Sequence, residues 1–209
     1  MEEFVISKNA FLSQDTKAFS HSDYHGGGNW RTPGTIENMI CTIKNHPEPY
    51  PESVLNGATT KLSAILAEDL PQILQTTGLQ SLRVCVIARS KKEDFFTPNQ
   101  KMFRATIQQT IRTLNGFEDG TFDIIRHTNT KTTHLSRSGR GGDGPMPYRG
   151  ITKDTCTISN NVYGKNILLI DDLYTRTVNI DEDAIQALYD KGAKSVIFYA
   201  IGKTIFRGY

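Results

Sequence analysis

The sequence predicts an α/β fold with a mostly parallel central sheet flanked by helices. Three short, almost wholly apolar runs carry that expectation: residues 82–88 (LRVCVIA), 166–170 (NILLI) and 195–201 (SVIFYAI). Runs of this kind suit strands covered on both faces. Helical patterns lie between them, and strands alternating with helices form parallel sheets.

Residues 1–50 read as loop chemistry, with one short element near residues 35–44. Gly26, Gly27 and Gly28 follow His25, then come Pro33-Gly34 and Pro47, Pro49 and Pro51. His21 and His25 flank Asp23, but the four-residue spacing aligns metal ligands only on a helix. The triple glycine argues against a helix there, so a metal site is the less favoured reading. Trp30 and Tyr24 suit a core or an interface equally well.

From Ser53 onward, Leu55, Ala58, Leu62, Ile65, Leu66 and Leu70 share one helical face, and Gly78 ends the pattern. After the 82–88 run a polar loop leads to Thr97-Pro98-Asn99-Gln100, a capping box with proline at the first helical position. Phe103, Ile107, Ile111 and Leu114 continue the helix. Gly116 and Gly120 are expected to frame a turn, and residues 122–126 the next strand. Residues 128–150 lack apolar periodicity and mix Lys131, Arg137, Arg140 and Arg149 with four glycines. They read as a long basic loop. Gly164 turns the chain into 166–170, and residues 171–179 form the loop after it. Asp181, Glu182 and Asp183 suit the first turn of a helix, where negative charge is favoured. Gly192 stops that helix.

The chain has 209 residues and a formal net charge of +2, which argues against a protein built mainly to coat nucleic acid. No run approaches the roughly 18 apolar residues that span a bilayer. The acidic start, Met1-Glu2-Glu3, lacks a basic signal region. Cys41, Cys85 and Cys156 are odd in number and far apart, which disfavours a disulfide framework or structural zinc. These features predict a cytoplasmic protein with no membrane contact.

In open parallel sheets, ligands bind beyond the carboxyl ends of the strands. Asp171 and Asp172 directly follow the apolar run 166–170. Neighbouring residues on an extended chain point to opposite sides, so one of these acids can face a ligand while the other turns toward the sheet edge or a metal. Carboxylates suit ribose hydroxyls through charge-assisted hydrogen bonds, and they suit Mg²⁺, a hard cation. Thr175, Arg176, Thr177 and Asn179 come next, just before a helix, where loop amides favour an anion. The plain alternative is a capped strand followed by a turn.

The segment ILLIDDLYTRTVN resembles the phosphoribosyl-diphosphate (PRPP) motif of type I phosphoribosyltransferases. That motif is an apolar strand, two acids, a hydrophobic residue, any residue, then Thr-Thr-Gly-x-Thr. Asp171, Asp172, Leu173, Thr175 and Val178 fit it, whereas Arg176, Thr177 and Asn179 stand where the motif has Thr, Gly and Thr. VCVIARSKKEDFFTPNQ and HTNTKTTHLSRSGR are similar to segments of the ComF-like, amidophosphoribosyltransferase-like branch, and the likeness covers roughly residues 80–204. The cysteines that bind zinc near the start of ComF proteins are absent.

The resemblance implies a type I phosphoribosyltransferase fold over residues 51–209, with residues 1–50 and the tail of residues 203–209 as candidates for a small irregular hood. It implies displacement of pyrophosphate from C1 of PRPP by an unidentified nitrogen acceptor, assisted by Mg²⁺. Asp171 and Asp172 would meet the ribose and the metal. Arg89, Ser90 and Lys91 would form the pyrophosphate loop, and Lys131 and Arg137 would belong to a lid. Thr175, Arg176, Thr177, Val178 and Asn179 would hold the 5′-phosphate. A homodimer is common in the family. The altered Thr-Arg-Thr-Val-Asn stretch supports a second expectation, a weak or inactive regulatory protein that binds PRPP or a nucleotide. The basic loop supports a third and weaker one, nucleic-acid handling.

Overall fold

A computed structural model of the chain describes residues 1–44, 49–132 and 142–205. The central sheet has six strands: β1 (Glu2–Ile6), β2 (Thr16–Tyr24), β3 (Leu82–Val86), β4 (Phe117–Asp119), β7 (Asn166–Tyr174) and β8 (Ser195–Thr204). Their spatial order is β1-β2-β8-β7-β3-β4. β1 pairs antiparallel with β2, and every other pairing in this sheet is parallel. The expected α/β architecture with a mostly parallel sheet is therefore present.

The strand period of two explains how one sheet supports two cores. Val84, Val86, Leu168, Ile170, Ile197 and Tyr199 face one side, where α1 (Ile36–Lys44), α2 (Glu52–Thr77) and α3 (Met102–Ile111) pack. Cys85, Ile167, Leu169 and Phe198 face the other, against Ile185 and Leu188 of α5 (Ile180–Asp190). A smaller antiparallel pair joins β5 (Ile124–Arg126) to β6 (Cys156–Ile158), the latter preceded by α4 (Ile151–Thr155). No described helix is long and apolar enough to cross a membrane.

Several local expectations are corrected. Residues 2–6 and 16–24 are strands of the main sheet rather than loop. β1 lies at the edge with exposed Glu2, Glu3 and Val5, so it shows no continuous apolar run. Gly116 and Gly120 frame not a turn but the three-residue strand β4, too short to leave a period. The strand expected at residues 122–126 is shortened to β5 and joins the second sheet. The strand of residues 166–170 continues through both acids, because Asp171 pairs with Ala200 and Leu173 with Gly202. The capping box at Thr97 is present but opens a 3-10 turn (Pro98–Gln100), with α3 following. Gly78 caps α2 in the left-handed region at φ 66°, as the glycine stop implies.

Candidate functional site

The sheet order places a switch point between β3 and β7. From β3 the chain moves outward to β4, and from β7 it moves the other way to β8. Loops that diverge in this way leave a crevice beyond the carboxyl ends of the two strands, where open sheets bind ligands. A cavity of about 460 Å³ lies there. Its walls include Arg89, Ser90 and Lys91 after β3, Asp171 and Asp172 at the end of β7, and Lys131 and Thr130 after β5. Six residues read from the sequence as functional thus meet in one place.

The two acids diverge as an extended chain requires. Asp172 faces α1, where its Oδ2 lies 3.0 Å from the Lys44 ammonium. Burial pulls Lys44 down, but Asp172 and Asp171 outweigh it and hold the ammonium above its ordinary value. Asp171 faces α5 and the buried Asp181. Burial, then the Asp172 charge, push Asp171 up to about 7. Burial and the Asp171 contact push Asp181 up as well. Two carboxyl groups this close disfavour each other's ionisation. The Asp171 carboxylate oxygen also accepts the Asp172 backbone N–H at 2.8 Å.

Across the cavity the loop after β3 is built rigidly. Arg89 donates to the Gln100 carbonyl at 2.6 Å and stacks 4.0 Å from the Phe96 ring centroid. Burial lowers the Arg89 guanidinium, partly offset by Asp172 and Glu93. Lys91 donates to the carbonyls of Thr130 and Asp143 at 2.7 and 2.9 Å, and the Ser90 and Thr132 hydroxyls lie 2.7 Å apart. The Ser90 carbonyl accepts the Thr130 N–H at 2.8 Å. Arg126, buried on β5, donates from Nε to the Arg89 carbonyl at 2.5 Å. These bonds bind the β3 loop to the segment carrying Lys131, whose own N–H reaches Pro145 at 2.9 Å.

The loop of residues 175–179 does not line the cavity. The Thr175 hydroxyl lies 2.8 Å from that of Thr204, and Asn179 accepts from the Asn9 amide at 3.2 Å. Asn179 caps α5 in the left-handed region at φ 58°, and Arg176 and Thr177 are exposed. The three acids that follow are buried. Asp183 accepts the N–H groups of Gly150 and Thr152, and Glu182 accepts the Tyr174 hydroxyl at 3.0 Å. Arg137 and Arg140 lie outside the described residues.

Sequence reading missed Lys44, Asp181 and the aromatic wall of Phe95, Phe96 and Phe103. The adjacent phenylalanines in a charged stretch, KKEDFF, were the visible signal for that wall; Lys44 left none. The chain matches no protein-family model and no curated protein sequence.

Proposed function

We propose that the chain is a PRPP-dependent phosphoribosyltransferase with a type I, ComF-like catalytic domain. The observation that carries this reading is the meeting of Asp171 and Asp172 with Arg89, Ser90, Lys91 and Lys131 around one cavity at a sheet switch point. Acids on one wall and cations on the other suit a molecule that is polyol at one end and diphosphate at the other.

In this reading Asp172 and Asp171 accept hydrogen bonds from the ribose hydroxyls. Arg89, Lys91 and Lys131, with the hydroxyl of Ser90, surround the diphosphate. A nitrogen lone pair forms the new bond to C1 while the C1–O bond breaks. Its electron pair leaves with pyrophosphate, and the nitrogen sheds a proton. Charge on the leaving group is what the basic wall stabilises, and positioning does the rest.

Two neighbouring carboxylates are a partial ligand set for Mg²⁺, one that the diphosphate would complete. Among the described residues no group of three or more His, Cys, Asp or Glu side chains is placed to hold a metal. Mg²⁺ is commonly held by one or two carboxylates together with substrate phosphates. When bound it would neutralise charge on the diphosphate.

A second reading, PRPP or nucleotide binding without turnover, has one observation in its favour. Residues 175–179 stand away from the cavity, and buried Asp181, Glu182 and Asp183 occupy the start of α5 where a phosphate would otherwise be favoured. Pyrophosphate release from PRPP and Mg²⁺ with a panel of ammonia, amines and nitrogen heterocycles separates the two. Release with any acceptor supports the transferase, whereas PRPP binding with no release from any acceptor supports the binder.

A further inference from the structure

We infer that Lys44 is the resident counter-ion of Asp172 and that a divalent cation entering the site must displace it. This rests on reading Asp171 and Asp172 as the sugar-diphosphate and cation site. Lys44 makes the only ion pair to Asp172 among the described residues, at 3.0 Å, and both side chains are partly open to the cavity at 29% and 15% exposure. The ammonium and a metal ion would share one carboxylate and repel each other there, so they compete for it.

The surroundings explain why a counter-ion is built in. Asp172 has Asp171 beside it in sequence, and Asp171 turns toward buried Asp181. Asp181 leaves its Oδ1 without a hydrogen-bond partner. Three carboxyl groups are crowded at the end of one strand, and unpaired charges of like sign destabilise such a cluster. Arg89 contributes on the far side but is held by Gln100 and Phe96, so it is not free to approach. Lys44 differs. It sits at the last turn of α1, where the helix favours a cation, and its flexible stem lets the ammonium withdraw once a metal arrives. Lys44 is thus a positioning residue: it holds Asp172 in place before the ligand comes, and it sets how much cation is needed to claim the site.

Mn²⁺ binding, read by water-proton relaxation without other ligand, tests this on wild type, Lys44→Gln, Lys44→Arg and the double variant Lys44→Gln/Asp172→Asn. Lys44→Gln is expected to bind Mn²⁺ several-fold more tightly than wild type, the size of effect for losing one competing ion pair that is partly open to solvent. Lys44→Arg should stay near wild type, and Asp172→Asn should remove the gain. Lys44→Met replaces Lys44→Gln if the latter fails to fold by circular dichroism. Equal Mn²⁺ affinity in wild type and the charge-removing variant overturns the inference. Calorimetry with PRPP on the same proteins separates the two layers. PRPP binding with unchanged Mn²⁺ affinity overturns the role of Lys44 and leaves the transferase standing. A gain in Mn²⁺ affinity without PRPP binding supports Lys44 and removes the transferase.

Discussion

Asp171 and Asp172 are consecutive, yet they meet different surroundings: one turns to a buried acid on α5, the other to a lysine on α1. Strand geometry alone produces this, so the divergence was legible once the strand was recognised. What each acid would meet was not, because α1 and α5 lie far away in sequence. Lys44 follows the apolar Ile43 in a stretch that shows only one short element. Asp181, Glu182 and Asp183 read as residues of a first helical turn, and their burial was not visible in that pattern. In the proposed transferase, Asp172→Asn should weaken PRPP binding by about tenfold or more, the scale of a lost charge-assisted hydrogen bond. Isothermal titration reads this directly, and unchanged affinity would place the ribose elsewhere.

At the scale of elements, β3, β7 and β8 were readable because both faces of each are covered. β2 was not, since Thr16, Lys17, Ser20, His21 and Ser22 break its apolar pattern. Part of that polarity is structural. Buried Asp69 on α2 accepts the Tyr199 hydroxyl of β8 at 2.7 Å and lies 3.0 Å from His21 Nδ1 on β2, tying the helix to two strands. Burial opposes the Asp69 carboxylate, but these partners prevail and hold it below its ordinary 3.8. A depressed acid stabilises the fold above its unfolded pKa and ceases to do so as pH falls through the folded value. Asp69→Ala should therefore cost about 1–3 kcal/mol in urea unfolding at neutral pH, the penalty for stranding buried partners. The gap to wild type should narrow below pH 3.8; a gap constant across acid pH would mean that Asp69 acts through packing alone.

The loop beside Lys131 supplies a second test at this scale. Gly144 has φ +112°, and a Cβ there would stand 2.4 Å from the Asn129 carbonyl oxygen. Gly144→Ala must shift the strand of chain that pairs with Lys91 and Lys131. A several-fold loss of PRPP affinity with a modest loss of thermal stability is expected, on the order of 1 kcal/mol for a left-handed position. A large fall in melting temperature with intact affinity would make this glycine a matter of folding only.

Across the whole molecule, the order β4-β3-β7-β8 sets the site more firmly than any single motif. The sequence displayed the three central strands and both charged loops, but not their order in space, so the crevice between β3 and β7 emerged only with the fold. The weakest correspondence is the stretch of residues 175–179, which stands where a 5′-phosphate loop was expected yet lines no part of the cavity. The central claim is that this crevice holds a sugar diphosphate. Titration calorimetry of the folded wild-type chain with PRPP and Mg²⁺, repeated with Arg89→Ala, tests it most directly. Saturable binding by wild type that falls about tenfold or more in Arg89→Ala is the predicted result. Absence of PRPP binding by a folded wild-type protein would contradict it.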